Sequence, residues 1–336
     1  MSHTRRFRRA AFVWLWLAWG LPWPLAAQAA EAWRVEGESN LFFTDDVSLF
    51  SASRRLALME DPTQPIVDVT RQGSDFVYEP AVEVARSFET IFGVTELSIK
   101  AQGFVFATNP LFNHGTYRFE IEQDVTRDTL VRFNYYLVPD LFLARNVQRS
   151  SGTKADERVA SHIYSAHLER RVTADVNLRL VTRYGTRDYN AAFANRDTTL
   201  WTVGPHVEWA AAPWLDLIAG YHYERGLADG RNQPQSKDDV SYINHYVAVG
   251  ATIKPTRDLA LFVGADYEHN IFTSSLAGDE RRGEKEDVYQ WELELRRTLS
   301  ARAVATAGFQ RSVRVSNIPP RSVPDNNLWL GVEFAF

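Results

Sequence analysis

Arg179, Arg183 and Arg187 recur every four residues. In an extended chain side chains alternate between two faces, so this spacing stacks the three guanidiniums as a ladder on one face. Lys100, Arg118, Arg132 and Arg171 fall on the corresponding face of nearby segments. Other segments place mostly carboxylates there: Glu208, Asp216, Glu224, Asp266, Glu268, Glu292, Glu294 and Glu333, with Glu36, Glu38, Glu79 and Glu83 nearer the N-terminus. Glu120, Glu122 and Asp124 accompany Arg118 between the two groups. Arcs of opposite charge facing each other across water would set up a transverse field that orients dipolar or zwitterionic solutes. The alternative is that the charges pair with their neighbours and plug the space they enclose. The acidic excess leans towards cations.

Covalent and metal chemistry are sparsely provided for. With no cysteine in 336 residues, a disulfide scaffold, a thiol nucleophile, a cysteine-ligated metal and a lipid-modified cysteine are all excluded. His222 alternates with Glu224, His269 lies near a segment end, and His114 sits in NPLFNHG. These are candidates for a rim-site hydrolase, but no nucleophile-base spacing accompanies them. No Gly-rich phosphate loop and no paired Cys/His metal spacing is present, so no catalytic residue, metal or cofactor is expected.

The elements that must position the charges alternate apolar and polar residues, which is strand spacing. Leu328, Leu330, Val332, Phe334 and Phe336 share one face, and Trp329, Gly331, Glu333 and Ala335 the other. The same pattern runs through Tyr117–Glu122, Leu259–Glu268 and Tyr289–Arg296, with charges on one face only. Fourteen segments are expected, among them a fifth at 129–138, a sixth at 159–171 and a fourteenth at 326–336. Short turns such as VTRD at 125–128, VTAD at 172–175 and PTRD at 255–258 alternate with longer connections near 44–74, 108–114, 139–158, 190–197, 227–240, 273–287 and 316–325. A small helix is expected around Ser51–Met59.

Segments of ten to fifteen residues are too long for a soluble sandwich, whose strands run to about 5 or 6, and suit tilted membrane strands of about 9 to 11. Trp33, Trp201, Trp209, Tyr221, Tyr223, Tyr267 and Trp291 fall on the apolar face near segment ends, where amphipathic rings would meet two lipid interfaces. The reading is therefore all-β: a transmembrane antiparallel up-and-down barrel of about 14 strands, in one domain over residues 30–336. With short turns on the periplasmic side, both termini are periplasmic.

Residues 1–29 read as a signal peptide: the basic stretch HTRRFRRA, an apolar run broken by Gly20, Pro22 and Pro24, and small residues at 27 and 29, with cleavage expected after Ala29. Removing it leaves 33 basic against 42 acidic residues, a net charge of −9, which argues against a nucleic-acid partner.

The signal peptide, the alternating hairpins and the closing NLWLGVEFAF resemble Gram-negative outer-membrane barrels. That resemblance implies a place in the cell outer membrane, with lipid as surroundings and the barrel-assembly machinery as a partner that reads Phe334 and Phe336. More loosely, the chain is similar to porin-like barrels associated with exopolysaccharide and surface assembly. Three functions follow as expectations. The first is a porin-like channel for small hydrophilic solutes, or the outer-membrane part of a system exporting a polymer, with Lys100, Arg118, Arg132, Arg179, Arg183, Arg187, Glu208, Asp216, Glu224, Asp266, Glu268, Glu292 and Glu294 lining the pore. The second is a non-conducting scaffold or adhesin acting through loops such as GDERRGEKED within 273–287, and the third is the rim-site hydrolase.

Overall fold

The computed structural model describes residues 33–48 and 73–336. The expected signal peptide and the helix at Ser51–Met59 lie outside them. Fourteen antiparallel strands run in chain order: β1 Trp33–Thr44, β2 Asp75–Thr90, β3 Gly93–Phe106, β4 His114–Thr126, β5 Thr129–Val147, β6 Lys154–Arg171 and β7 Val176–Tyr189, followed by β8 Thr198–Ala212, β9 Leu215–Ala228, β10 Tyr242–Thr256, β11 Leu259–Phe272, β12 Lys285–Ser300, β13 Ala303–Asn317 and β14 Pro320–Ala335. Each pairs with its sequence neighbours, and β14 closes on β1 with Leu330 opposite Leu41 and Glu333 opposite Glu38. Closure leaves no strand edge. Among the described residues no helix is long and apolar enough to cross a membrane.

The pleat sorts side chains as the alternation demands. Leu328, Leu330, Ile99, Ile121, Leu178, Leu180, Val249 and Leu293 are exposed on the outside, whereas Trp329, Glu79, Arg132 and Glu268 are buried within. Exposed rings cluster towards both ends of this apolar band, Tyr117, Tyr184, Trp201, Tyr267 and Tyr289 near the longer connections, and Trp33, Phe92, Trp209, Trp214 and Phe336 near the short turns. Two girdles around an aliphatic belt are the outer surface a bilayer requires. The short-turn rim also carries β-bulges, at Asp124/Thr126, Ala210/Ala212, Ile253/Thr256 and Thr298/Ser300, which tighten the strand twist where the chain reverses.

Two connections are shorter than the sequence suggests. The expected loop 139–158 is mostly strand, with β5 running on to Val147 and β6 starting at Lys154. Register shifts at Val138/Leu141 and Phe142/Ala144 destroy the period-2 pattern, so Leu141, Phe142, Leu143 and Ala144 are all buried. At 316–325, β14 already begins at Pro320. Prolines 320 and 324 hide that strand start, because proline reads as a strand breaker although a strand's first residue tolerates it.

Candidate functional site: the charged interior

The interior charges are interleaved rather than opposed. Arg132 on β5 lies 2.6 Å from Glu122, 3.2 Å from Glu169 and 3.8 Å from Glu120, with Arg132, Glu120 and Glu122 buried and Glu169 partly so. Arg179 shares Glu169 at 3.0 Å and reaches Glu208 at 2.6 Å. Lys100 meets Glu38 at 2.7 Å, Arg118 meets Glu83 at 3.1 Å, and Lys254 closes on Asp216. Arg296 joins Glu294 to Glu333. Strand register explains these pairs: Glu169 faces Arg179 and Glu122 faces Arg132 directly across neighbouring strands, where opposite charges attract. The expected transverse field between two arcs is therefore replaced by local neutralisation around much of the wall.

The arginine ladder splits into three environments. Arg179 is held by carboxylates. Arg183 donates from Nη1 to His222 Nδ1 at 3.4 Å. Arg187 donates from Nη1 to the Tyr242 hydroxyl at 2.9 Å, which in turn donates to Glu224 at 2.6 Å, and Glu224 also accepts from Thr202 at 2.7 Å. Arginine has no acceptor, so His222 Nδ1 must be the bare nitrogen and its Nε2 carries the proton. That proton points at Nε2 of His206, 2.6 Å away, so His206 accepts there and is protonated on Nδ1. Reading His222 with Glu224 as an alternating pair located this region. His206 was missed because its partner is set by three-dimensional pairing across Gly204.

On β11 and β12, Asp266, Glu268 and Glu292 accept from amides and a hydroxyl. Asp266 accepts from Tyr246 at 2.6 Å and from Gln290 at 3.4 Å, Glu292 accepts from Gln310 at 3.3 Å, and Glu268 accepts from Asn244 and Asn270. Glu294 takes the Trp329 indole N–H at 3.1 Å. All thirteen charged residues expected to line a pore occupy inward positions of the pleat. Below the longer connections, Phe42, Val77, Phe104, Phe106, Phe112, Phe142 and Trp329 form one buried apolar cluster with Val47.

The end of the barrel bearing the longer connections is crossed by ion pairs that periodicity could not reveal. Arg196, in the 190–197 connection, contacts Glu157 of β6 and Asp238 of the 229–241 connection, both at 2.8 Å. Asp238 also lies 3.4 Å from Arg149 of the β5–β6 turn, whose other end meets Glu280 at 2.7 Å. Asp279 accepts from the Asp239 backbone N–H at 2.9 Å. Four connections are thus tied together. Burial alone would raise the Asp238 carboxyl, but the Arg196 guanidinium and its hydrogen bonds outweigh it and hold the carboxyl below the usual carboxylate range.

The other histidines singled out by sequence lie apart from this network. His114 stacks on Phe104 with Nδ1 2.8 Å from the Phe112 carbonyl, and His269 contacts Asp287 at 2.8 Å on the outer face. Among the described residues no cluster of three or more His, Cys, Asp or Glu is arranged to hold a metal.

No protein-family model matches the chain, and no curated protein matches it. Solved structures do. The outer-membrane channel DcaP of Acinetobacter baumannii is similar over 93% of this chain and 99% of its own, at 10% identity and a TM-score of 0.54. A bacterial polysaccharide outer-membrane secretin is similar over 89% of this chain and 98% of its own, at 10% identity and a TM-score of 0.50. At that identity the likeness is one of fold, and the fold of this chain is that of the Gram-negative outer-membrane β-barrels.

Proposed function

We propose that this protein is a porin-like channel of the outer membrane whose resting state is closed at the end bearing the longer connections. The observation that carries the reading is the polarity of the wall. A closed sheet with aliphatic and aromatic residues outside and many ionised, amide and hydroxyl side chains inside suits a bilayer outside and water or a polar solute inside. A fully structural barrel has no need for so many inward charges, since burying each costs free energy that only good pairing offsets. Similarity in fold to a channel and to a polysaccharide secretin is compatible with passage of either small hydrophilic solutes or an exported polymer.

A second reading has its own support. The arginines of the ladder are nearly buried by their neighbours, as they would be in a filled, non-conducting scaffold. Single-channel conductance of residues 30–336 refolded into a planar bilayer separates the two. Steady or voltage-dependent openings support the channel. Silent bilayers containing demonstrably inserted protein would overturn it in favour of the scaffold.

A further inference from the structure

Across the outward positions of β8, β9 and β10 stands one permanently charged side chain, Arg225, and no carboxylate. Arg225 is half-buried, directly opposite Trp201 on β8 and Ile243 on β10, with Tyr223 and Leu227 on either side of it along the same face of β9. Glu224, next to it in sequence, points inward to the Tyr242 hydroxyl. Among the described residues the Arg225 side chain makes no hydrogen bond, ion pair or ring contact. Other outward arginines at this end of the barrel do have partners in the wall, Arg158 meeting Asp140 at 2.6 Å and Arg311 donating to Asn326 at 2.9 Å.

The neighbours of Arg225 offer it apolar surface and further donors. The Trp201 ring lies 5.1 Å from the Tyr223 ring, which meets the His245 ring edge-on at 5.5 Å. Neither the Trp201 indole N–H nor the Tyr223 hydroxyl has a partner among the described residues. Tyr221 stands 2.8 Å from Nδ1 of His245, and with the phenol donating there the imidazole keeps its proton on Nε2. Trp201 is 43% exposed and belongs to the aromatic girdle near the longer connections. An unpaired guanidinium on a lipid-facing wall is costly at the bilayer midplane and tolerated near the interface, where it can reach the headgroups. At that depth the surroundings supply phosphate.

We infer that Arg225, with Trp201 and Tyr223, forms a binding site on the outer wall for the phosphate headgroup of a membrane lipid in the leaflet at the end bearing the longer connections. The planar guanidinium matches two phosphate oxygens at once, the indole N–H adds a neutral donor, and the ring faces give the rest of the lipid apolar contact. Cationic headgroups find no acceptor charge here. The inference goes beyond the channel reading and does not depend on it, because the outer wall is the same whether the lumen is open or filled.

The test is titration calorimetry on the mature chain refolded in a non-ionic detergent, with three probes: dihexanoyl phosphatidic acid, dihexanoyl phosphatidylcholine and inorganic phosphate. Phosphatidic acid should bind at least about tenfold more tightly than either of the others, because only it joins an uncompensated phosphate to acyl chains. Arg225→Gln should weaken phosphatidic acid by about tenfold or more, whereas Arg158→Gln, which removes a guanidinium already held by a carboxylate, should change it by less than about twofold. Phosphatidic acid bound no more tightly than phosphatidylcholine would overturn the recognition of charge, and inorganic phosphate bound as tightly as phosphatidic acid would overturn the lipid as occupant. Equal losses in the two variants would assign the binding to diffuse surface charge and overturn the site. The comparison of probes on the unaltered chain decides the matter even if Arg225→Gln fails to fold.

Discussion

The Nε2 atoms of His206 and His222 lie 2.6 Å apart, with the His222 ring lying against Gly204, where only hydrogen occupies the side-chain position. A Cβ there would stand 2.0 Å from His222 Cδ2 and 2.1 Å from the Tyr221 carbonyl oxygen. Gly204→Ala must therefore displace the imidazole and strain backbone, an overpacking cost of about 1–3 kcal/mol. Gly103→Ala is the matched control, since its nearest neighbour would be Pro80 Cγ at an ordinary 3.7 Å. The temperature at which the heat-resistant folded band disappears on electrophoresis should fall clearly for Gly204→Ala and hardly at all for Gly103→Ala. Equal midpoints would mean that the imidazole pair is not held as described.

The contrast between what the sequence discloses and what it hides follows from the same geometry. Period-2 alternation is a local signal, so the strand count, the outward Leu328 and Leu330 and the inward Arg179, Arg183 and Arg187 are all legible in it. Partners across strands depend on register, which no single segment carries. That is why Glu208 could be seen as an inward carboxylate but not as the partner of Arg179. Bulges erase the period altogether, which is what turned Leu141–Ala144 into an apparent loop. Arg196 and Asp238, in irregular connections, had no pattern to betray them.

The Arg196–Asp238 contact is the centre of the ties between connections, and both side chains are almost wholly buried. Asp238→Asn removes one of the two carboxylates that hold the buried Arg196 guanidinium and leaves Glu157 as its ionic partner, so the loss should fall short of the ~3–5 kcal/mol of a fully broken buried pair. Its expected consequence is a longer open time in single-channel records, with the barrel itself intact. Acid should act in the same direction. Because the folded carboxyl is held below its ordinary value of 3.8, the stabilisation is complete above that pH and is lost as pH falls further through the depressed value. Openings that become frequent below about pH 3.8 in the wild type, but are independent of pH over that range in Asp238→Asn, would match the mechanism. Identical pH profiles would refute it.

Phe336 contributes its backbone N–H to the Val35 carbonyl at 3.0 Å, while its ring is 80% exposed on the outer face. Phe336→Ala keeps the backbone bond, so the refolded barrel should change in stability by no more than about 0.5 kcal/mol, as for an ordinary surface site. If the ring is instead read by the assembly machinery, the amount of variant reaching the outer membrane of cells should drop several-fold. Fractionation of cells against refolding in detergent separates the two, and parallel losses in both would count against an assembly role.

Arg132 and Arg145 offer the sharpest comparison of ion pairs in one wall. Arg132 stands among Glu120, Glu122 and Glu169 with its side chain 6% exposed, whereas Arg145 meets Asp156 at 3.0 Å with its side chain 72% exposed. Desolvation decides the difference. Removing Arg132 leaves three carboxylates near one another at low dielectric with only Glu169 still held by Arg179, and Arg132→Met should destabilise the barrel by about 3–5 kcal/mol. Arg145→Met breaks a pair that water and salt already screen, for which about 1 kcal/mol is an upper limit. Adding Glu122→Gln and Glu169→Gln to Arg132→Met should recover much of the loss, because Glu120 is then the one carboxylate left where three repelled one another. A triple variant as unstable as the single one would show that the guanidinium acts through packing and not through charge.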